Sequence, residues 1–96
     1  MIEIRQTQSY ARWFAGLADR RARAKVLVRI RRLGLGNPGD VKPVAGGVSE
    51  LRIHYGPGYR VYLVRRGVGR IVLLTGGTKR TQKRDVRVAL RLARNL

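Results

Sequence analysis

The sequence predicts a single α+β domain, residues 1–96, on three observations. Apolar residues recur at helical spacing near both ends of the chain, alternating runs lie between them, and glycine clusters separate the runs. The predicted order is β-α-α-β-β-β-α. A helical hairpin and a C-terminal helix are expected on one face of a mostly antiparallel four-stranded sheet.

Residues 2–6 form the predicted opening strand, and Thr7 is placed to cap a first helix. Tyr10, Trp13, Phe14, Leu17 and Ala18 then make one apolar stripe. Asp19 stands where an N-cap belongs, and a second helix follows to about Leu33. It carries Val26, Leu27, Ile30 and Leu33 on one side. The ridge Arg21, Lys25, Arg29, Arg32 lies on the other. Residues 34–47 are rich in glycine and proline and read as a long loop.

Three β-rich runs follow. Residues 48–55 place Leu51, Ile53 and Tyr55 on one side and Glu50, Arg52 and His54 on the other. Gly56-Pro57-Gly58 signals a hairpin, and residues 59–65 alternate Tyr59, Val61, Leu63 against Arg60, Tyr62, Val64. Residues 70–75 are apolar enough for a central strand, and Gly76-Gly77 is expected to break it. A last helix begins near Thr81, with Val86, Ala89, Leu90, Ala93 and Leu96 inward.

Charge is the outlier in the composition. Twenty-two Lys and Arg stand against five acids, a formal charge of +17, while the hydrophobic fraction of 44% is that of an ordinary globular chain. Such an imbalance points to a polyanionic partner, with RNA foremost. The chain has no cysteine and one histidine, which excludes thiolate zinc sites and disulfides and argues against a metal cage or a cofactor. No signal peptide or membrane span is expected, so the cytoplasm is the compartment implied. No Ser-His-Asp or Cys-His arrangement can be assembled.

Two constellations carry the candidate chemistry. A three-residue hairpin loop would pair Tyr55 with Tyr59, His54 with Arg60 and Arg52 with Tyr62. The side chains of Arg52, His54, Arg60 and Tyr62 would then gather on the open face. Arginine forks bind phosphate oxygens and imidazole exchanges protons near neutrality, so the group suits a phosphodiester. A charge-decorated solvated face is the plainer alternative. Glu50 there could orient Arg52, accept a proton or pair with a cation, and pairing is preferred. The second constellation is the turn Gly76 to Arg84, where Lys79, Arg80, Lys83 and Arg84 crowd a helix start together with Gln82. It lacks the spacing of a nucleotide P-loop. Arg29 and Arg32 on the helical ridge are further candidate contacts to a phosphate backbone, or else part of a solvated helix face.

The ordered runs Glu50-Leu51-Arg52-Ile53, Gly56-Pro57-Gly58-Tyr59-Arg60-Val61-Tyr62 and Ile71-Val72-Leu73-Leu74 stand out, followed by Gly76-Gly77, Lys79, Gln82 and Arg84-Asp85. With Gly36 to Lys42 and Gly46-Gly47-Val48 before them, they resemble the RelE/ParE toxin superfamily, in its HigB-like branch of addiction-module killer proteins. The resemblance covers essentially the whole chain. It implies a toxin of a type II toxin–antitoxin module, held by an antitoxin of helix-turn-helix type. It also implies an endoribonuclease that cuts mRNA on the ribosome through attack of a 2′-hydroxyl, with rRNA as a second contact. Arg60 matches the arginine of the family's Gly-Tyr-Arg strand, Arg52 lies near a basic position of the preceding strand, and Lys79, Gln82 and Arg84 fall in a site-forming segment. RelE has lysines where this chain shows Glu50 and Arg52. Arginine is a poor general base, which leaves His54, Glu50 or Lys79 to take the proton. The alternatives are a ParE-like gyrase inhibitor that cleaves nothing and a non-catalytic RNA-binding protein.

Overall fold

A computed structural model describes all 96 residues. The chain forms β1 (Glu3–Gln6), α1 (Gln8–Ala15), α2 (Arg20–Gly34), β2 (Val41–Ala45), β3 (Val48–Ile53), β4 (Tyr59–Arg65), β5 (Arg70–Thr78), a 3-10 turn (Lys79–Thr81) and α3 (Gln82–Arg94). The five strands make one mixed sheet in the order β1-β5-β4-β3-β2, with β1 parallel to β5 and every other pair antiparallel.

The starts of α1 and α2 follow from their caps. The Thr7 hydroxyl accepts from Tyr10 N at 3.1 Å, and Asp19 Oδ1 accepts from Arg21 N at 2.9 Å and Ala22 N at 3.2 Å. Each satisfies backbone donors that a helix N-terminus leaves free. α1 stops at Ala15, so Leu17 and Ala18 of the expected stripe lie in the connection to α2.

The α+β class stands, but the expected strand count and layering are corrected. The strands number five rather than four. Residues 41–45 lie within the glycine- and proline-rich stretch 34–47 that reads as a loop, yet they form the edge strand β2, where Pro43 can lack one ladder donor, beside an irregularity in register. Gly46 and Gly47, with φ of 51° and 82°, close the tight turn into β3.

The second correction concerns the layers. Tyr10, Val26 and Leu33 of the helical hairpin pack on Leu51, Ile53, Val61, Leu63, Ile71 and Leu73. Ala89 and Ala93 of α3 pack on Val48, Tyr62, Val64, Val72 and Leu74, the alternate residues of the same strands. The sheet is therefore covered on both sides. The face expected to be open lies largely beneath α3, and β4 is buried from Arg60 through Val64.

Gly76 and Gly77 do not break β5; they pair with Val61 and Arg60. Their missing side chains serve close packing. A Cβ at Gly76 would lie 2.3 Å from the Trp13 indole, and one at Gly77 would collide with the Asp85 carboxylate. The glycines thus let α1 and the start of α3 press onto opposite faces of one strand.

Candidate functional site

The β3–β4 register places Arg52 directly opposite Arg60, and β4–β5 places Arg60 opposite Gly77. The loop is longer than expected. Residues 54–58 are outside the ladder, which moves the partner of Arg52 from Tyr62 to Arg60. A shift of two residues preserves the face on which every side chain stands. Two arginines in direct cross-strand register repel, and each has acquired its own carboxylate.

Arg60 turns inward. Its Nη1 donates to Glu50 Oε1 at 2.6 Å, and Gln82 Nε2 donates to both Glu50 oxygens at 3.0 and 2.8 Å. Glu50 is 1% exposed and Arg60 9%. Tyr62 is fully buried beside them, with desolvation the chief cause pushing its phenol pKa upward. Neither Tyr62 OH nor Arg60 Nε has a hydrogen-bond partner. The start of α3 closes this cluster, and Thr81 Oγ1 donates to Asp85 Oδ2 at 2.5 Å above Gly77. Arg60 and Tyr62 are therefore not on an open surface, contrary to the sequence reading.

Arg52 turns outward. Asp40 Oδ1 accepts from its Nε at 3.2 Å and its Nη2 at 2.9 Å, while Asp40 Oδ2 lies 2.5 Å from His54 Nε2. The Arg52 hydrogen bond, then that of His54, lowers the Asp40 pKa to about 2. An ionised carboxylate can only accept, so Nε2 is the donor and Nδ1 of a neutral His54 keeps the lone pair. The ring is 74% exposed, leaving Nδ1 free to meet a proton donor. Arg29 fastens this corner from behind, donating to the carbonyls of Arg52 at 2.6 Å and Pro38 at 3.1 Å.

The 3-10 turn brings a further set of cations to the same end of the sheet. Lys79 N donates to Gly58 O at 2.8 Å, tying the turn to the loop that carries His54. Lys79, Arg80, Lys83 and Arg84 are exposed, whereas Gln82 is partly buried against Glu50. Gly76 and Gly77, read from the sequence as the opening of this turn, belong instead to a paired strand. No three His, Asp or Glu side chains come together as metal ligands would.

Residues 12–96 match the family of phage-derived Gp49-like proteins. The chain belongs to that family. It is a family associated with RelE-like toxins of toxin–antitoxin modules. An uncharacterized protein of Haemophilus influenzae is 45% identical over 95 residues, which span 99% of this chain and 96% of the relative.

In this Gp49-like protein the structure brings Arg52, His54 and Lys79 to one end of the sheet, sends Arg60, Tyr62 and Gln82 into a buried cluster, and leaves Arg32 exposed on α2. Sequence reasoning missed Asp40. It lies in a loop, 12 residues from Arg52 and 14 from His54, and no local pattern joins them. The signal that could have found it is scarcity, since five acids among 22 cations each have many suitors. No helix is long and apolar enough to cross a membrane.

Proposed function

We propose that this protein is the toxin of a type II toxin–antitoxin module and cleaves translated mRNA on the ribosome by 2′-hydroxyl transesterification. The observation that carries the reading is the Asp40–His54 pair beside the outward-facing Arg52. Asp40 fixes the ring so that Nδ1 accepts the 2′-hydroxyl proton. The 2′-oxygen then attacks the adjacent phosphorus, the 5′-oxygen leaves and takes up a proton, and the products are a 2′,3′-cyclic phosphate and a 5′-hydroxyl. The Arg52 donors not engaged by Asp40, with Lys79, neutralise charge on the pentacovalent phosphorus.

Arg60 takes a different part from the one its motif suggests. Paired to Glu50 behind Arg52, it holds β3, β4 and α3 together, and Gln82 shares that work. The exposed cations Arg80, Lys83, Arg84 and Arg32 supply contacts to mRNA and rRNA phosphates, salt-dependent and independent of sequence, while the half-buried Arg29 braces the corner behind them. An antitoxin, of the helix-turn-helix type that the resemblance implies, would cover this surface in the resting cell.

The same Glu50–Arg60 pair favours a second reading, because it withdraws the motif arginine from solvent. In that reading the protein is a ParE-like gyrase inhibitor or a non-catalytic RNA binder. Brief induction followed by mapping of mRNA ends and of DNA breaks separates the two. On the nuclease reading, folded His54→Ala loses roughly 10²–10⁴ in cleavage rate and folded Arg52→Ala roughly 10²–10³. Unchanged cleavage by both variants, or DNA breaks before any mRNA ends, sinks it.

A further inference from the structure

We propose that the groove between α2 and the Ile53–His54 corner is a nucleotide subsite. A base or ribose would lie on its apolar floor, with the attached phosphate held between Lys25 and Arg32. This deepens the RNA-cleaving reading and rests on it for the identity of the strand that threads the groove.

The groove measures about 390 Å³ and is lined by Ala24, Lys25, Val28, Arg29, Arg32, Ile53 and His54. That volume falls in the range of small-molecule sites, which join an apolar lining to a few placed polar groups. The helical members stand at one-, three- and four-residue spacings and share one face of α2. Val28, 48% exposed, joins Ala24 as apolar surface among the cations of this helix face. No acidic residue lines the groove.

The cations divide their duties. Arg29 is immobilised by the carbonyls of Arg52, Pro38 and Asp40 and acts as a fixed wall. Gly39 makes room for it, since a Cβ there would lie 3.1 Å from the guanidinium. Lys25 reaches over the Tyr55 ring, 5.3 Å from its centroid, and Arg32 is exposed. Because His54 borders both the groove and the Asp40–Arg52 corner, a nucleotide seated there would adjoin the phosphodiester at His54.

The test is an NMR titration of the full chain with adenosine 5′-monophosphate, and separately with inorganic phosphate at equal ionic strength. The subsite predicts saturable amide shifts confined to residues 24–32 and 53–54, which phosphate alone does not reproduce. Val28→Glu and Arg32→Ala, both surface changes, each weaken binding about tenfold or more. Arg65→Ala, on an exposed residue at the far end of β4, leaves it unchanged. Equal shifts with phosphate, shifts centred elsewhere, or wild-type affinity in both groove variants overturns the subsite. Primer extension on an induced message keeps the two readings apart. Groove binding without mRNA cleavage upholds the subsite while removing the nuclease, and cleavage without groove binding does the reverse.

Discussion

The buried Glu50 carboxylate receives Arg60 Nη1 at 2.6 Å and the Gln82 amide on both of its oxygens, so one acid joins β3, β4 and α3. Removing one member of a buried ion pair strands the other charge in a poorly solvated site. Glu50→Ala is expected to destabilise the fold by about 3–5 kcal/mol. Replacing both members, Glu50→Leu with Arg60→Met, should cost less than the sum of the two single changes. Urea denaturation of the four proteins measures this coupling. Additive single and double effects would show that the pair is not linked as the geometry indicates.

Gly76 is a position where absence of a side chain is structural. Its φ is not in the left-handed region, so the demand for glycine comes from Trp13 alone, whose ring an added methyl would meet at 2.3–2.4 Å. Gly76→Ala should destabilise by about 1–3 kcal/mol through overpacking. Trp13→Leu in the same chain should recover part of the loss. A thermal melt of single and double variants decides it, and an unchanged Gly76→Ala melt would contradict the packing.

These two sites show where the sequence was legible and where it was not. The caps Thr7 and Asp19 are local signals, because the groups they satisfy lie two or three residues away. The side assigned to each residue of β3 and β4 also survived the change of hairpin register, since strand parity depends only on neighbours. What failed was nonlocal. Glu50, Arg60 and Tyr62 are spelled as an exposed polar face, and only the arrival of α3 from 20 or more residues downstream turns that face into an interior. Asp40 went unseen for the same reason. The fold class and the Arg52–Arg60 neighbourhood were within reach, whereas the division of labour between those arginines depends on which acid each one meets.

Tyr62 offers a prediction of opposite sign from the first. Its hydroxyl is buried with no hydrogen-bond partner, and desolvation is the principal cause of its raised pKa. A buried, unpaired polar group opposes folding, and its removal leaves the ring's packing intact. Tyr62→Phe should therefore be neutral or stabilising by about 1 kcal/mol. Chemical denaturation checks it. A loss of stability beyond about 1 kcal/mol would mean that the hydroxyl has a partner in solution.

Asp40 gives the acid limb of stability a specific origin. Its pKa falls from 3.8 to about 2, first through the hydrogen bond from Arg52 and then through that from His54. The folded value lies below the unfolded one, so the unfolded chain binds the proton more readily across that interval. The carboxylate's contribution is present in full above the unfolded value of 3.8 and disappears as pH falls through about 2. Asp40→Asn removes the titration and the charge together. Glu3 and Asp19 also have lowered pKa values and titrate in both proteins, so the informative quantity is the difference between wild type and variant. That difference should be constant near neutrality, shrink as the solution is acidified below the unfolded carboxylate's range, and vanish near pH 2. Melts followed by circular dichroism across the acid range would show this. A difference that persists undiminished at the lowest pH would place the role of Asp40 in packing rather than in its charge.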